Sequence, residues 1–265
     1  NAPVITSNAT FTADENQTAI GTVTATDADG STLTYSLTGA DASSVSISSS
    51  GVLTFNSAPD YETKNSYAIT ANVADSDNTT TQDITVNINN LNDNVPVISS
   101  GASFNADENQ TSVGTVSASD ADGDSLSYSL SGTDAGSLAI SNTGVITFNS
   151  APDYEAKTSY SITAAVTDGA TSVSQNITIS IVNLNDNSPV ISSGDTYNAA
   201  ENQTAVGSVT AADADGDTLS YSLSGTDASS LSISSSGVIS FNSAPDYETK
   251  TSYSITASVS DGSNA

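Results

Sequence analysis

The sequence has no cysteine, histidine, tryptophan or arginine, and its only cationic side chains are three lysines set against 30 Asp and Glu, a formal net charge of −27. Without cysteine there is no disulfide framework and no thiolate metal site. With histidine also missing, zinc and copper are poor candidates. So few positive charges leave nothing to neutralise phosphate, which excludes nucleic acid as a partner and argues equally against an anionic membrane surface. No apolar run approaches the length of a membrane-spanning helix, and the first residues lack the basic and apolar regions of a signal peptide. No stretch carries a 3.6-residue apolar period. An acid–base pair or activated nucleophile is also missing. Paired carboxylates on a glycoside are the one remaining catalytic route.

What is present is a repeat. Asn90-Leu91-Asn92-Asp93-Asn94-Val95-Pro96 returns as Asn183-Leu184-Asn185-Asp186-Asn187-Ser188-Pro189, an offset of 93 residues without insertion. Asp-Glu-Asn-Gln-Thr at 14–18 and 107–111 keeps that register, with Ala-Glu-Asn-Gln-Thr at 200–204. So do Asp-Ala-Asp-Gly at 27–30, 120–123 and 213–216, and Ala-Pro-Asp-Tyr-Glu at 58–62, 151–155 and 244–248. The expected units are 1–94, 95–187 and 188–265, joined by the polar run, where Pro stops either strand from running through. Asn1-Ala2-Pro3-Val4-Ile5 matches 94–98, so the sequence is expected to be an internal piece of a longer chain.

Within each unit the apolar residues alternate. Val23 and Ala25 sit among threonines; Leu33, Tyr35 and Leu37 alternate with Thr34 and Ser36. Tyr67, Ile69, Ala71 and Val73 form a third run, and Ile84, Val86 and Ile88 a fourth. Period two with Thr, Val, Ile and Tyr predicts half-buried strands. About seven strands between Gly and Asp/Asn turns predict an all-β chain of Greek-key sandwiches in tandem. By register Ala265 matches Thr79 and Ser172, so the third unit lacks the counterpart of the last strand and is expected to show an open sheet edge, with its continuation resembling 82–94.

The acids cluster at the ends of these strands. In extended chain, residues i and i+2 point the same way, so Asp120 and Asp122 aim at one place, as do Asp153 and Glu155. Like charges this close repel unless a cation neutralises them. All-oxygen surroundings suit a hard divalent ion, and Ca²⁺ accepts about 6–8 oxygens.

Glu in the first strand region, Asp-x-Asp, Asp-x-Glu and x-Asn-Asp-Asn-x-Pro, in that order over the whole chain, resemble the cadherin repeat. The resemblance implies seven-stranded sandwiches with about three Ca²⁺ at each junction. For the first junction it implies Glu15, Asp60, Glu62, Asn90, Leu91, Asn92, Asp93, Asn94, Asp120, Asp122 and Asp168 as ligands, the leucine and Asn94 through their carbonyls. For the second it implies Glu108, Asp153, Glu155, Asn183, Leu184, Asn185, Asp186, Asn187, Asp213, Asp215 and Asp261. Asp27, Asp29, Asp75, Glu201, Asp246 and Glu248 become half-sites facing further repeats. Asp14, Asp107, Asp124 and Asp217 are expected to be solvated turn residues, Lys64, Lys157 and Lys250 structural charges near the acids, and Tyr61, Tyr154 and Tyr247 core packing. Asn90 and Asn183 stand where the family often has Asp, and Asp-Tyr-Glu replaces a frequent Asp-Arg-Glu. With no tryptophan, adhesion by strand exchange is not supported. Near-identical repeats without Arg or Cys resemble arrays in large bacterial surface adhesins. The resemblance therefore implies a non-enzymatic, Ca²⁺-rigidified stalk of a secreted or cell-surface adhesin or fibre. Its partners would be adjacent repeats of the same chain, with like chains or surface glycans if a repeat face itself binds.

Overall fold

The computed structural model describes residues 1–263, and they form two compact units that cross the sequence repeats. The first comprises residues 1–100, 117–129 and 165–174; the second comprises 101–116, 130–164 and, among the described residues, 175–263. Both are built from strands, with three short 3₁₀ turns.

The first unit contains one complete sandwich. Its strands are β1 (Val4–Ile5), β2 (Thr10–Asp14), β3 (Ala19–Thr22), β4 (Ala25–Thr26), β5 (Thr34–Thr38), β6 (Val45–Ile47), β7 (Val52–Phe55), β8 (Ser66–Ala74) and β9 (Thr79–Asn89). One sheet runs β2-β9-β8-β5 and the other β3-β7-β6, with β1 paired to β4. β9 is the keystone of the larger sheet: it lies parallel to β2 and antiparallel to β8. The predicted alternation appears in its burial, with Ile84, Val86 and Ile88 inside and Thr85 and Asn87 outside. Ile69, Ala71 and Val73 of the adjacent β8 belong to the same core, as do Leu53 and Phe55 of β7 in the other sheet. Each fully buried aliphatic side chain of this kind contributes roughly 1.5–3 kcal/mol.

The stretch 22–26 departs from the expected strand. β3 ends at Thr22, and Val23, fully buried, turns its N–H to Gly51 O at 2.8 Å. Gly51 has φ +81°, and a Cβ there would sit 2.2 Å from Val23 O. Only glycine allows this approach.

The second repeat adds β10 (Val97–Ile98), β11 (Ser103–Asp107), β12 (Ser112–Thr115), β13 (Ala118–Ser119), β14 (Ser127–Ser131), β15 (Leu138–Ile140), β16 (Val145–Phe148), β17 (Ser159–Thr167) and β18 (Ser172–Val182). In the second unit β18 lies between β11 and β17, parallel to β11 from Ser103↔Thr178 to Asp107↔Val182. The third repeat adds β19 (Val190–Ile191), β20 (Ala205–Ser208), β21 (Ala211–Ala212), β22 (Ser220–Ser224), β23 (Leu231–Ile233), β24 (Val238–Phe241) and β25 (Thr256–Ser260). Its three-stranded sheet β20-β24-β23 matches the others, but its larger sheet is reduced to β22-β25. Among the described residues no helix is long and apolar enough to cross a membrane.

Candidate metal centres

Glu15 directly follows β2 and is buried, with only 1 % of its surface exposed. Leu91 N donates to one carboxylate oxygen at 2.7 Å and Tyr61 N to the other at 2.8 Å. The strand end, the Pro59-Asp60-Tyr61 corner and the linker are thus tied to one buried carboxylate. The next residue, Asn16, has φ +62°, which asparagine tolerates better than most residues, and its amide donates to Asp93.

The remaining acids gather around this anchor. Oxygens of Glu15, Glu62, Asp93 and Asp122 lie within 4.8 Å of one another. Asp122 accepts from Asp93 N at 3.1 Å and Asn94 N at 2.9 Å, and from the Asn94 amide at 2.8 Å. That amide also reaches Asp93 at 2.9 Å and Glu62 at 3.3 Å, so one NH₂ is shared by three carboxylates. The Asn94 amide, aided by the Asn94 and Asp93 N–H groups, holds the Asp122 carboxyl below its ordinary pKa. Desolvation, with the Glu15 and Asp122 charges adding to it, pushes Glu62 up. Asp122 also belongs to a second triad with Asp120 and Asp124.

The second unit repeats the arrangement at an offset of 93 residues. Glu108, also 1 % exposed, accepts from Leu184 N at 2.7 Å and Tyr154 N at 2.8 Å. It gathers with Glu155, Asp186 and Asp215, while Asp213, Asp215 and Asp217 form the triad. Asn187 N donates to Asp215 at 2.8 Å. Glu155 is raised by desolvation and Asp215 lowered chiefly by the Asn187 amide, as in the first cluster.

Several expected ligands stand around these cores. Asn90 and Asn183 donate to the Asp122 and Asp215 carbonyls, each at 2.8 Å. Asn92 donates to Asp168 O at 3.4 Å, and the Leu184 carbonyl accepts from Asp186 N at 3.1 Å. Asn185 and Asp261 are engaged as well, the latter accepting from Ser263 N at 2.7 Å. Asp60 and Asp153 lie outside the tight clusters. Asp60 accepts from Thr63 N and Oγ1 at 3.1 and 2.9 Å, and Asp153 from Ala156 N at 3.1 Å. The Asp168 carboxylate is likewise bound by the Thr171 hydroxyl and the Ala170 and Thr171 N–H groups.

Of the half-sites, Glu201, Asp246 and Glu248 gather in an exposed group. Asp29 accepts from the Asn1 side-chain amide at 2.9 Å, and Asp75 accepts from Asp77 and Asn78 N–H.

The structure corrects three expectations. Asp124 is no solvated turn residue: one of its oxygens is buried without a partner, and desolvation together with Asp120, Asp122 and Asp168 raises its pKa. The lysines do not stand at the clusters. Lys64, Lys157 and Lys250 pair with Asp41, Asp134 and Asp227, and lie 4.5–4.7 Å from the centres of the Tyr67, Tyr160 and Tyr253 rings. Tyr61 packs on the core, but Tyr247 is 62 % exposed. Sequence reasoning also assigned no site role to Asn16 and Asn109, whose amides bind Asp93 and Asp186. Their position directly after the buried Glu was the available signal.

The donor set is entirely oxygen. Buried oxygens of Asp120, Asp124, Asp213 and Asn183 have no hydrogen-bond partner, and each is a ready cation ligand. This set fits a hard divalent ion of the Ca²⁺ type.

Tandem β-sandwiches with all-oxygen carboxylate clusters at 93-residue intervals define a class of modular repeat protein. The Cadherin domain family matches residues 9–89 and 102–184, and the chain belongs to that family. Residues 185–265 match a bacterial Ig domain instead. Protocadherin Fat 4 of mouse and of human are each 35 % identical over 160 residues, 54 % of this chain but only 3 % of the relative. Among solved structures, mouse Cadherin-23 EC22-24 aligns with TM-score 0.68 at 26 % identity, over 94 % of this chain and 90 % of that one. Human CDH23 EC21-23 aligns with TM-score 0.75 at 22 % identity, over 94 % and 92 %. Cadherin domains are extracellular adhesion or stalk modules, generally Ca²⁺-binding and non-enzymatic.

Proposed function

We propose that this chain is a Ca²⁺-rigidified spacer in a secreted or cell-surface adhesin or fibre of bacterial type, built from the repeats 1–94, 95–187 and 188–265. The observation that carries the reading is the duplicated four-carboxylate cluster, each copy drawn from a strand end, an Asp-Tyr-Glu corner, a linker and an Asp-x-Asp loop. An acid from each of four segments is more than solubility requires. Clustered carboxylates held this close destabilise one another unless a cation intervenes.

In this reading about three Ca²⁺ occupy each junction, within the usual 6–8 oxygen shells. Glu15, Glu62, Asp93, Asp120, Asp122, Asp124 and Asp168 would hold them at the first, with Asn90, Asn92, the Leu91 and Asn94 carbonyls and Asp60 completing the shells. Glu108, Glu155, Asp186, Asp213, Asp215, Asp217 and Asp261 would do so at the second, with Asn183, Asn185, the Leu184 and Asn187 carbonyls and Asp153. Bound ions supply positive charge that cross-links linker and loops, so the chain becomes stiff where it would otherwise bend. The role is mechanical, and the same carboxylates are unavailable for acid–base chemistry. The bacterial Ig match of the third repeat supports a bacterial source.

Calcium titration of the full chain by calorimetry tests this. Asp122→Asn should remove the first junction's sites and leave those of the second, and Asp215→Asn should do the reverse. Each loss should be at least about tenfold in affinity, or 1.4 kcal/mol. Unchanged binding in both variants contradicts the reading.

A further inference from the structure

We infer that the first and third repeats each carry a binding pocket for a neutral saccharide unit, and that the second repeat keeps the frame of this pocket without two of its hydroxyls. The inference does not rest on calcium.

The pocket lies between the 3₁₀ turn Ala42–Ser44, the end of β7 and the start of β8. In the first repeat its volume is about 390 Å³, and its lining includes Ser43, Ser44, Asn56, Ser57, Thr63 and Tyr67. The third repeat has a pocket of about 310 Å³ lined by the same residue types, two repeat lengths on. Both volumes fall at the lower end of small-ligand pockets, about 300–1,000 Å³.

The main chain fixes the frame. Asn56 N donates to Ser44 O at 2.9 Å, the Asn56 amide to Ser43 O at 2.8 Å, and Phe55 N to Thr18 O at 2.8 Å. Asn242 N, the Asn242 amide and Phe241 N repeat these bonds at 2.9, 2.9 and 2.8 Å. Phe55 is buried and holds the half-buried Tyr67 ring at a centroid distance of 4.9 Å; Phe241 holds Tyr253 at 4.8 Å.

What the frame presents sets the chemistry of the ligand. With those donors spent, this wall offers a peptide no main-chain ladder. No lysine lines either pocket, and the net charge of −27 repels an anion. A cation is no better served. Thr63 N and Oγ1 take up the Asp60 carboxylate, and Lys64 Nζ stands over the Tyr67 ring, 4.7 Å from its centre. What remains is hydroxyl beside an aromatic ring. Among the described residues none bonds to the hydroxyls of Ser43, Ser44 or Ser57. Such a surface matches a neutral sugar, whose hydroxyls pair with the serines and whose C–H groups rest on the ring.

The second repeat supplies a natural comparison. Asn149 N donates to Ser137 O at 2.9 Å, and Phe148 lies 4.9 Å from Tyr160. Gly136 and Ala156, however, stand where the first repeat has Ser43 and Thr63.

The test is a titration of the isotope-labelled full chain in constant calcium, followed by amide chemical shifts. The probes are glucose, galactose, mannose, N-acetylglucosamine, lactose and cellobiose, each up to about 10 mM, ten times the dissociation constant of a weak site. At least one should give saturable shifts at Ser44, Asn56 and Tyr67 and at Ser230, Asn242 and Tyr253, with Ser137, Asn149 and Tyr160 unmoved. Ser43→Gly with Thr63→Ala gives the first repeat residues with which the second already folds. It should weaken binding there at least about tenfold and leave the third repeat unchanged. Gly136→Ser with Ala156→Thr should create a site in the second repeat. Glucose 6-phosphate and tetramethylammonium, as charged probes, should move none of these amides. No saturable shift with any of the sugars would overturn the inference, as would equal shifts in all three repeats. So would undiminished binding after Ser43→Gly with Thr63→Ala, no gain after Gly136→Ser with Ala156→Thr, or shifts at the same amides from a charged probe.

Discussion

The first and third repeats carry nearly the same residues at the same register, yet only the first has its four-stranded sheet. The difference is one strand. With β9 in place, β2 and all of β8 are regular, Ile69 and Ala71 are sealed, and Glu15 is buried against Leu91 N. Without its equivalent, residues 196–200 and 252–255 are irregular, and Glu201 is exposed with a single N–H, from Tyr247 at 3.3 Å. The smaller sheet is indifferent: β20-β24-β23 keeps the register of β3-β7-β6. Half of each sandwich is therefore locally specified, and the other half depends on β9 and its equivalents. In the first repeat that half also carries the acid that follows β2, Glu15, which binds the linker through Leu91 N.

The largest expected difference lies in the core. Ile69→Ala removes a sealed side chain and should cost about 2–5 kcal/mol. Ile255→Ala, at the half-open equivalent, should cost about 1 kcal/mol. Hydrogen exchange by repeat in a urea series separates the two. Equal losses would show the third core to be as tight as the first.

Next comes the anchor. Glu15→Gln leaves two buried N–H groups facing an amide that has one acceptor oxygen, and should cost about 1–3 kcal/mol even with calcium chelated. Glu201→Gln, exposed, should be close to neutral. Thermal unfolding of both variants in chelator measures this, and a neutral Glu15→Gln would remove the anchor from the account.

Much of this was legible in the sequence because the repeat supplied its own control. The strands over 67–73 and 84–88 followed from period two. The nearness of Asp120 and Asp122 was legible, since Asp-x-Asp in extended chain converges. Asp124 was not: its burial depends on a turn at Gly123, φ +78°, that folds it back toward Asp120. Nor was the partner of Lys64, because Asp41 lies 23 residues earlier and meets it only once the 3₁₀ turn after it has formed. Asp60 was named with Glu62, but its local binding was not legible: Thr63 N–H and Oγ1 donate to its carboxylate.

The smallest effect is one on which the two repeats should agree. The Lys64 ammonium, aided by Ala68 N–H, holds the Asp41 carboxyl below its ordinary pKa, and Lys250 with Ser254 N–H does the same for Asp227. A lowered folded value favours the ionised form on folding. The contribution is full above the unfolded pKa of about 3.9 and is lost as pH falls through the folded value. Lys64→Met and Lys250→Met should each lower the folding equilibrium at neutral pH by less than about fivefold, the scale of exposed pairs, and flatten the loss below pH 4. Exchange by repeat between about pH 3 and 7 checks both; a large effect in one repeat alone would mean that the strand deficit reaches this pair too.

The central claim is that the two carboxylate clusters become stiff only with calcium. Small-angle scattering of the full chain in saturating Ca²⁺ and in chelator tests it most directly. At about 100 times the dissociation constant each site contributes about 2.7 kcal/mol to the bound form. Chelation should therefore shorten the maximum dimension and broaden the distance distribution while the β signal in circular dichroism persists. An unchanged distance distribution after chelation, with calcium removal verified, would contradict the account.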